Sequence, residues 1–499
     1  MKIPNRAEKA EMKIDSDEFK HITINTKLDR FLQYFRRSIR CQTKLLSALF
    51  LTSISGITLL LSDGLSIQGR LTIFVFLVTV ILWSMTSINA GYIALVSVVM
   101  LLLTGGISQE QFFESLGSDV VWLMIGAFVL GGAVKQTGLA TRLTQVVAAK
   151  SHNVSSLFWL LTTVLIPLSF LIPSTSGRAA VTHPIFCSVA NAIEDKRTRR
   201  ALALLMPSII LVSTIASLTG AGSHLVAKDL LEEISGKDIS FSQWLLYGLP
   251  FGMVASYASC WVIMRLFLDR RRLQQKLDVE YLQSTPLSLP ERKTLLIVLL
   301  MLVLWLTEKW HGLEIATVTF IGAIILTAPY FGVMKWKDAL KDVSWNLIIF
   351  VGATLVLGRA LITSGASEWI INNVFRFSEI NSTKSHFFIL LLLAVISLTS
   401  HIYMTSHTAR AAALVPPLLY LASSLNINPV AVLFLSTLGM DYCLTFPVSS
   451  KALMVYQDAE EDGFKPTDLL RLSSVMIVVH LALIVLFYYT WWRWVGLSF

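Results

Sequence analysis

Long apolar runs separated by short polar stretches fill the chain from Leu45 onward. Runs near the length that crosses hydrocarbon predict transmembrane helices at about residues 45–61, 71–85, 92–103 and 120–134. Further spans begin at Ala201 and cover 241–268, 294–306, 315–328, 347–361, 430–454 and 473–490. Two apolar segments do not fit a single crossing. Residues 155–192 are interrupted by Pro167, Pro173, Gly177 and Pro184, with basic residues on both flanks: Lys150 before, and Lys196, Arg197, Arg199 and Arg200 after. A segment with both ends on the inside reads as a re-entrant helical hairpin, here with residues 174–177 at its tip. Residues 387–421 repeat the pattern with a tip at 406–409. The span from Ala201 should break in the weak-helix stretch 213–224, and the span 430–454 near Pro447. The expected fold is an all-α polytopic membrane protein of about eleven transmembrane helices plus two re-entrant hairpins.

The two hairpins carry one motif twice. Residues 172–184 read IPSTSGRAAVTHP and residues 404–416 read MTSHTARAAALVP, so that Ser174 falls on Ser406, Arg178 on Arg410 and Pro184 on Pro416. The offset, 406 − 174 = 232, is close to half of the 499 residues. VLGGAVKQTG at 129–138 returns as VLGRALITSG at 356–365. Five spans separate the hairpins, an odd number, so the halves should be inverted repeats with hairpins entering from opposite sides. The expected organisation is a tail at 1–44 with an amphipathic interfacial helix at 27–41, a first repeat at 45–268, a linker at 269–292 and a second repeat at 293–499.

Composition strengthens the membrane reading. Hydrophobic residues make up 54% and charged residues 15% of the chain, against about 25% charged in soluble domains. The net charge of +9 sits in short loops between apolar runs, a positive-inside signal rather than a nucleic-acid footprint. Residues 105–118 have no Lys or Arg and should lie outside, as should an acidic loop around residues 229–233, whereas Asp269-Arg-Arg-Arg272 marks the inside. The N-terminus is then expected in the cytoplasm and the C-terminus outside, in a bacterial inner membrane. No cleavable signal peptide is expected, because some forty polar, charged residues precede the first apolar run. The four cysteines are scattered, without metal-type spacing.

Candidate chemistry gathers at the tips. Hydroxyl residues ahead of a helix present free backbone N–H groups at the positive end of its dipole, an arrangement suited to an anion. The first tip offers Ser174, Thr175 and Ser176, the second Ser406, His407 and Thr408. Arg178 and Arg410 follow in the first turn of each tip helix. Either they hold a carboxylate or sulfate bidentately, or they bond a nearby acid or tip carbonyls and so hold the hairpin together. Recurrence at matched positions favours contact with the anion. Ser174, Thr175 and Gly220 retain groups that sodium uses, while His407 and Lys451 are candidates for charge compensation. Lys451 either snorkels to the inner surface or lies in the site. His183 and His224 read as structural, and sequence does not place Asp441 or Glu368. No nucleophile–base pair and no phosphate-cradling loop is present, so neither an enzyme nor ATP coupling is expected, and no cofactor beyond sodium as a coupling ion.

The paired tips and broken spans resemble the divalent anion/sodium symporter family over nearly everything from Leu45 onward. The tips followed by arginine are most similar to the branch of plastid dicarboxylate translocators and the citrate/succinate antiporter. The family's tips read Ser-Asn-Thr, where this chain has Ser174-Thr175-Ser176 and Ser406-His407-Thr408. The resemblance implies a homodimer whose transport domain moves as an elevator and carries di- and tricarboxylates or sulfate, by sodium symport or anion exchange. Loss of both asparagines bears on sodium coupling more than on the fold. The competing class is a membrane receptor that binds the anion without moving it.

Overall fold

The computed structural model describes residues 47–499 except 87, 140–141, 143–149, 277–285, 371, 374–385, 458 and 460–461. The tail at 1–44, with its expected amphipathic helix, lies outside the described residues, as does the middle of the 269–292 stretch. Among the described residues the fold is helical, with one isolated bridge between Asn153 and Lys276 and no strand. Among the described residues eight helices are long and apolar enough to cross a membrane, and four shorter apolar helices accompany them. The shorter ones include Ala90–Leu103 and Pro429–Met440.

Both tip helices start where serine holds extended backbone. Ser174 (φ −147°, ψ 124°) accepts from the Gly177 amide and caps Thr175–Asn191. Ser406 (φ −86°, ψ 122°) accepts from the Ala409 amide and caps His407–Ser424. Such a cap contributes about 1 kcal/mol, because it satisfies an amide that the helix itself leaves orphaned. Helix therefore begins one residue after each serine, and the tips are tighter than the sequence suggested. Pro184 lies inside the first tip helix, and Pro416 with Pro417 inside the second. None of them ends the segment, since a proline removes only one backbone donor.

The predicted break in the first half is present. Helix Lys196–Val212 gives way to 3₁₀ turns at Ser213–Ala216 and Leu218–Gly220, and helix resumes as Gly222–Ser235. Gly220 makes this possible, because a Cβ there would collide with the Thr214 carbonyl. Helix Phe241–Phe267 buttresses the break, its Trp244 Nε1 donating to the Ile215 carbonyl at 3.0 Å. In the second half Pro429–Met440 stops, a 3₁₀ turn follows at Pro447–Ser449, and Lys451–Gln457 resumes. Residues 229–233, read from sequence as an acidic loop, instead belong to Gly222–Ser235, and Gln109–Leu116 is a helix within the expected outer loop.

The helix after each break packs on the tip helix of the other half. Gly222–Ser235 lies along His407–Ser424, and Lys451–Gln457 against Thr175–Asn191. Gly222 comes so close that a Cβ would sit 3.2 Å from both Thr408 Cγ2 and Leu347 Cδ2. On the other side, the hydroxyls of Thr182 and Tyr456 are 2.7 Å apart. One contiguous core joins the halves.

Candidate functional site

Between the tips lies a cavity of about 520 Å³. Its walls come from the N-terminal ends of five helices: Asn89 and Gly91 at Ala90–Leu103, Ser174–Ser176, Ala221–Ser223, Ser344 and Asn346 at Trp345–Thr363, and Ser406–Thr408. Helix N-termini carry positive dipole ends and unbonded amides, and the helix at Gly222 has no side-chain cap to consume them. Thr86, Thr405 and Ser450 add hydroxyls, and Lys451 and His407 are the basic side chains in the wall. Among the described residues no carboxylate lines the cavity. Lys451 is exposed to it, and no described acid pairs with it.

The cavity thus gathers Ser174, Thr175, Ser176, Ser406, His407, Thr408 and Lys451. Arg178, Arg410 and Gly220 do not line it. Both arginines are fully buried behind the tips. Arg178 Nη2 donates to Thr214 Oγ1 and to the Gly220 carbonyl, each at 2.9 Å, while Nε and Nη1 bond no described protein atom. Arg410 Nη1 donates to the Met440 carbonyl, Nη2 lies 3.0 Å from Cys443 Sγ, and Nε is 3.4 Å from the Ser406 carbonyl. Each guanidinium therefore ties a tip helix to the broken helix of its own half. Of the two readings of the arginines, this placement matches the bracing one.

Behind the second tip sits a group that motif reading did not assemble. Asp441 Oδ1 is 2.7 Å from His407 Nδ1, and Oδ2 is 2.7 Å from His224 Nε2. Ser223 Oγ donates to Oδ1 at 3.1 Å, and His224 Nδ1 lies 3.0 Å from the Ser217 carbonyl. The first half's broken helix and the second half's tip thus share one buried carboxylate. His183, by contrast, packs against Phe186 and Tyr456, as a structural residue does.

Residues 42–498 match the family described as the sodium:sulfate symporter transmembrane region. The chain belongs to that family. A sodium-dependent dicarboxylate transporter of Staphylococcus saprophyticus is 23% identical over 432 residues, covering 79% of this chain and 81% of the relative. The citrate/succinate antiporter of Escherichia coli K12 is 23% identical over 391 residues, covering 74% and 77%. Among solved structures, the Alcanivorax borkumensis YdaH transporter superposes with a TM-score of 0.54 at 12% identity, over 86% of this chain and 98% of that one, a likeness of fold alone. As a member of the sodium:sulfate symporter family the protein is a membrane transporter. Neither tip carries asparagine here, yet Asn89 and Asn346 reach the same cavity from other helices. Both asparagines begin apolar helices, which was their visible signal.

Proposed function

We propose that the protein is a secondary active transporter of small divalent or trivalent anions, di- and tricarboxylates or sulfate, working by elevator-type alternating access. The observation that carries this is the cavity with five helix N-termini, a lysine and, among the described residues, no carboxylate in its wall. Each dipole end contributes about 0.3–1 kcal/mol toward an anion and a charge-assisted hydrogen bond about 1.5–3 kcal/mol. Its volume suits a small molecule, since such sites occupy about 300–1,000 Å³. The reading includes two inverted repeats, 45–268 and 293–499, re-entrant hairpins at 155–192 and 387–421, a cytoplasmic N-terminus, an outside C-terminus and a homodimer. The matched tips, matched breaks and their exchanged packing support the repeats. The named relatives support di- and tricarboxylates as substrates.

Sodium symport and sodium-independent exchange both fit this cavity, and one observation favours the second. The break carbonyls of Ser217, Gly220 and Met440, the kind of oxygen that coordinates sodium, are already bonded by His224, Arg178 and Arg410. The test is counterflow in proteoliposomes loaded with succinate, citrate or sulfate, with labelled anion outside. Saturable uptake of at least one anion is expected. Tight binding without flux would instead mark a receptor.

A further inference from the structure

We propose that His224, Asp441 and His407 form a proton-binding site that takes the place of a coupling cation at the second tip, with His407 Nε2 as the atom that gains and loses the proton. This rests on the transport reading above and names the ion that drives it.

The argument is a count of hydrogens. The Ser217 carbonyl can only accept, so His224 Nδ1, 3.0 Å away, carries a hydrogen. His224 Nε2 and Asp441 Oδ2 are 2.7 Å apart as an ion pair rather than an aligned hydrogen bond, and an unprotonated nitrogen that close would set a lone pair against the carboxylate. The same clash would arise between an unprotonated His407 Nδ1 and Asp441 Oδ1, also 2.7 Å apart. With those three hydrogens in place the cluster is neutral: one carboxylate, one doubly protonated His224 and one singly protonated His407. A proton placed alternatively on the carboxyl group leaves the same total. One nitrogen remains undetermined, His407 Nε2, which lies 3.7 Å from Cys443 Sγ on a residue that lines the cavity. A proton added there makes the cluster +1, beside the space for the anion.

Charged and titratable groups surround that atom from several packed elements. From the second break come Asp441 and Cys443, from its own helix Arg410, and from the helix His386–Tyr403 comes His401, bonded to Thr445 at 2.7 Å. Lys451 shares the cavity wall, and from the first half His224 and the Arg178 charge face Asp441. Because the carboxylate already balances the doubly protonated His224, the added charge is compensated only when an anion occupies the cavity, which ties proton binding to anion binding. An added proton compensates one negative charge of the anion as both cross. A site left without it keeps the neutral arrangement and can return.

The experiment uses full-length protein in sodium-free proteoliposomes, with membrane potential clamped by potassium and valinomycin. Labelled succinate, citrate and sulfate are first tested for counterflow at equal pH on both sides. A pH gradient, acid outside, is then imposed on whichever anion exchanges. Accumulation approaching about tenfold per pH unit for each coupled proton is expected in the wild type. In His407→Gln and Asp441→Asn the flux that remains should no longer follow the pH gradient. Counterflow that ignores the pH gradient, whether or not a sodium gradient imposed on a second set of vesicles drives it, overturns the proton site and leaves the transport reading standing. Accumulation by His407→Gln equal to wild type overturns the assignment to that atom. Absence of counterflow for all three anions overturns both. The wild-type gradient comparison decides the question even if the variants fail to fold.

Discussion

Lys451 faces the cavity with no described acid paired to it, whereas Arg178 and Arg410 spend donors on backbone and side chains behind the tips. Substitution should therefore separate them. Lys451→Gln removes a charge-assisted hydrogen bond to the anion, so apparent affinity in counterflow should fall about tenfold or more. Arg178→Gln or Arg410→Gln should instead lower the unfolding midpoint in detergent, since each leaves buried carbonyls unbonded at about 1–3 kcal/mol apiece. An arginine variant that melts like wild type yet binds more weakly would show the guanidinium reaching the anion after all. At this scale sequence was informative about the tip hydroxyls, because their duplication marks them. It could not distinguish a cavity lysine from a snorkelling one, nor aim an arginine, since both depend on which neighbours supply acceptors. Asp441 and His224 stood apart in the chain, and nothing local links them.

Capping and close approach decide the elements. Gly220→Ala should push the first break off the Thr214 carbonyl, costing about 1–3 kcal/mol, typical of overpacking. Wild-type thermal stability and flux in that variant would mean the break yields freely. Asp195 caps Lys196–Val212 and also bonds Arg272 from the stretch after Phe267. Burial works to raise its carboxyl, but bonds from Thr198 and the Arg272 guanidinium outweigh it and hold it below the ordinary carboxylate value. Its contribution is therefore complete above about pH 4 and is lost as pH falls through the depressed value. Melts of wild type and Asp195→Asn should converge in acid and separate near neutrality. A constant gap across that range would mean the carboxylate adds nothing through its charge. The tips and breaks were legible as Ser, Thr and Gly in apolar runs. Pro184 misled as an interruption because a membrane helix absorbs one lost bond where neighbours pack tightly. The acidic residues at 229–233 looked like loop but fold as helix, with Glu233 paired to Arg359 at 2.7 Å and Lys228 to Asp238 at 2.8 Å. Partners from distant elements supplied what composition concealed.

Across the whole molecule, two halves cover each other's broken helices, and the proposed orientation rests on loop charge. A cysteine placed at Arg270 should resist impermeant thiol reagent from outside in intact cells and react once the membrane is opened. Labelling in intact cells would reverse the proposed topology. The duplication of motifs was readable from their offset, but exchange of packing between halves was not, because a motif reports position and not partner. That exchange has a consequence for how the chain is made. Ser223 and the carboxylate it bonds are 218 residues apart. At a synthesis rate of roughly 5–20 residues per second, about 10–40 seconds pass between them on the ribosome. For that interval His224 and Ser223 lie in the nascent chain without the acid that completes their surroundings. A message truncated anywhere before Asp441 is therefore expected to leave Ser223 and His224 without that partner for as long as the product lasts.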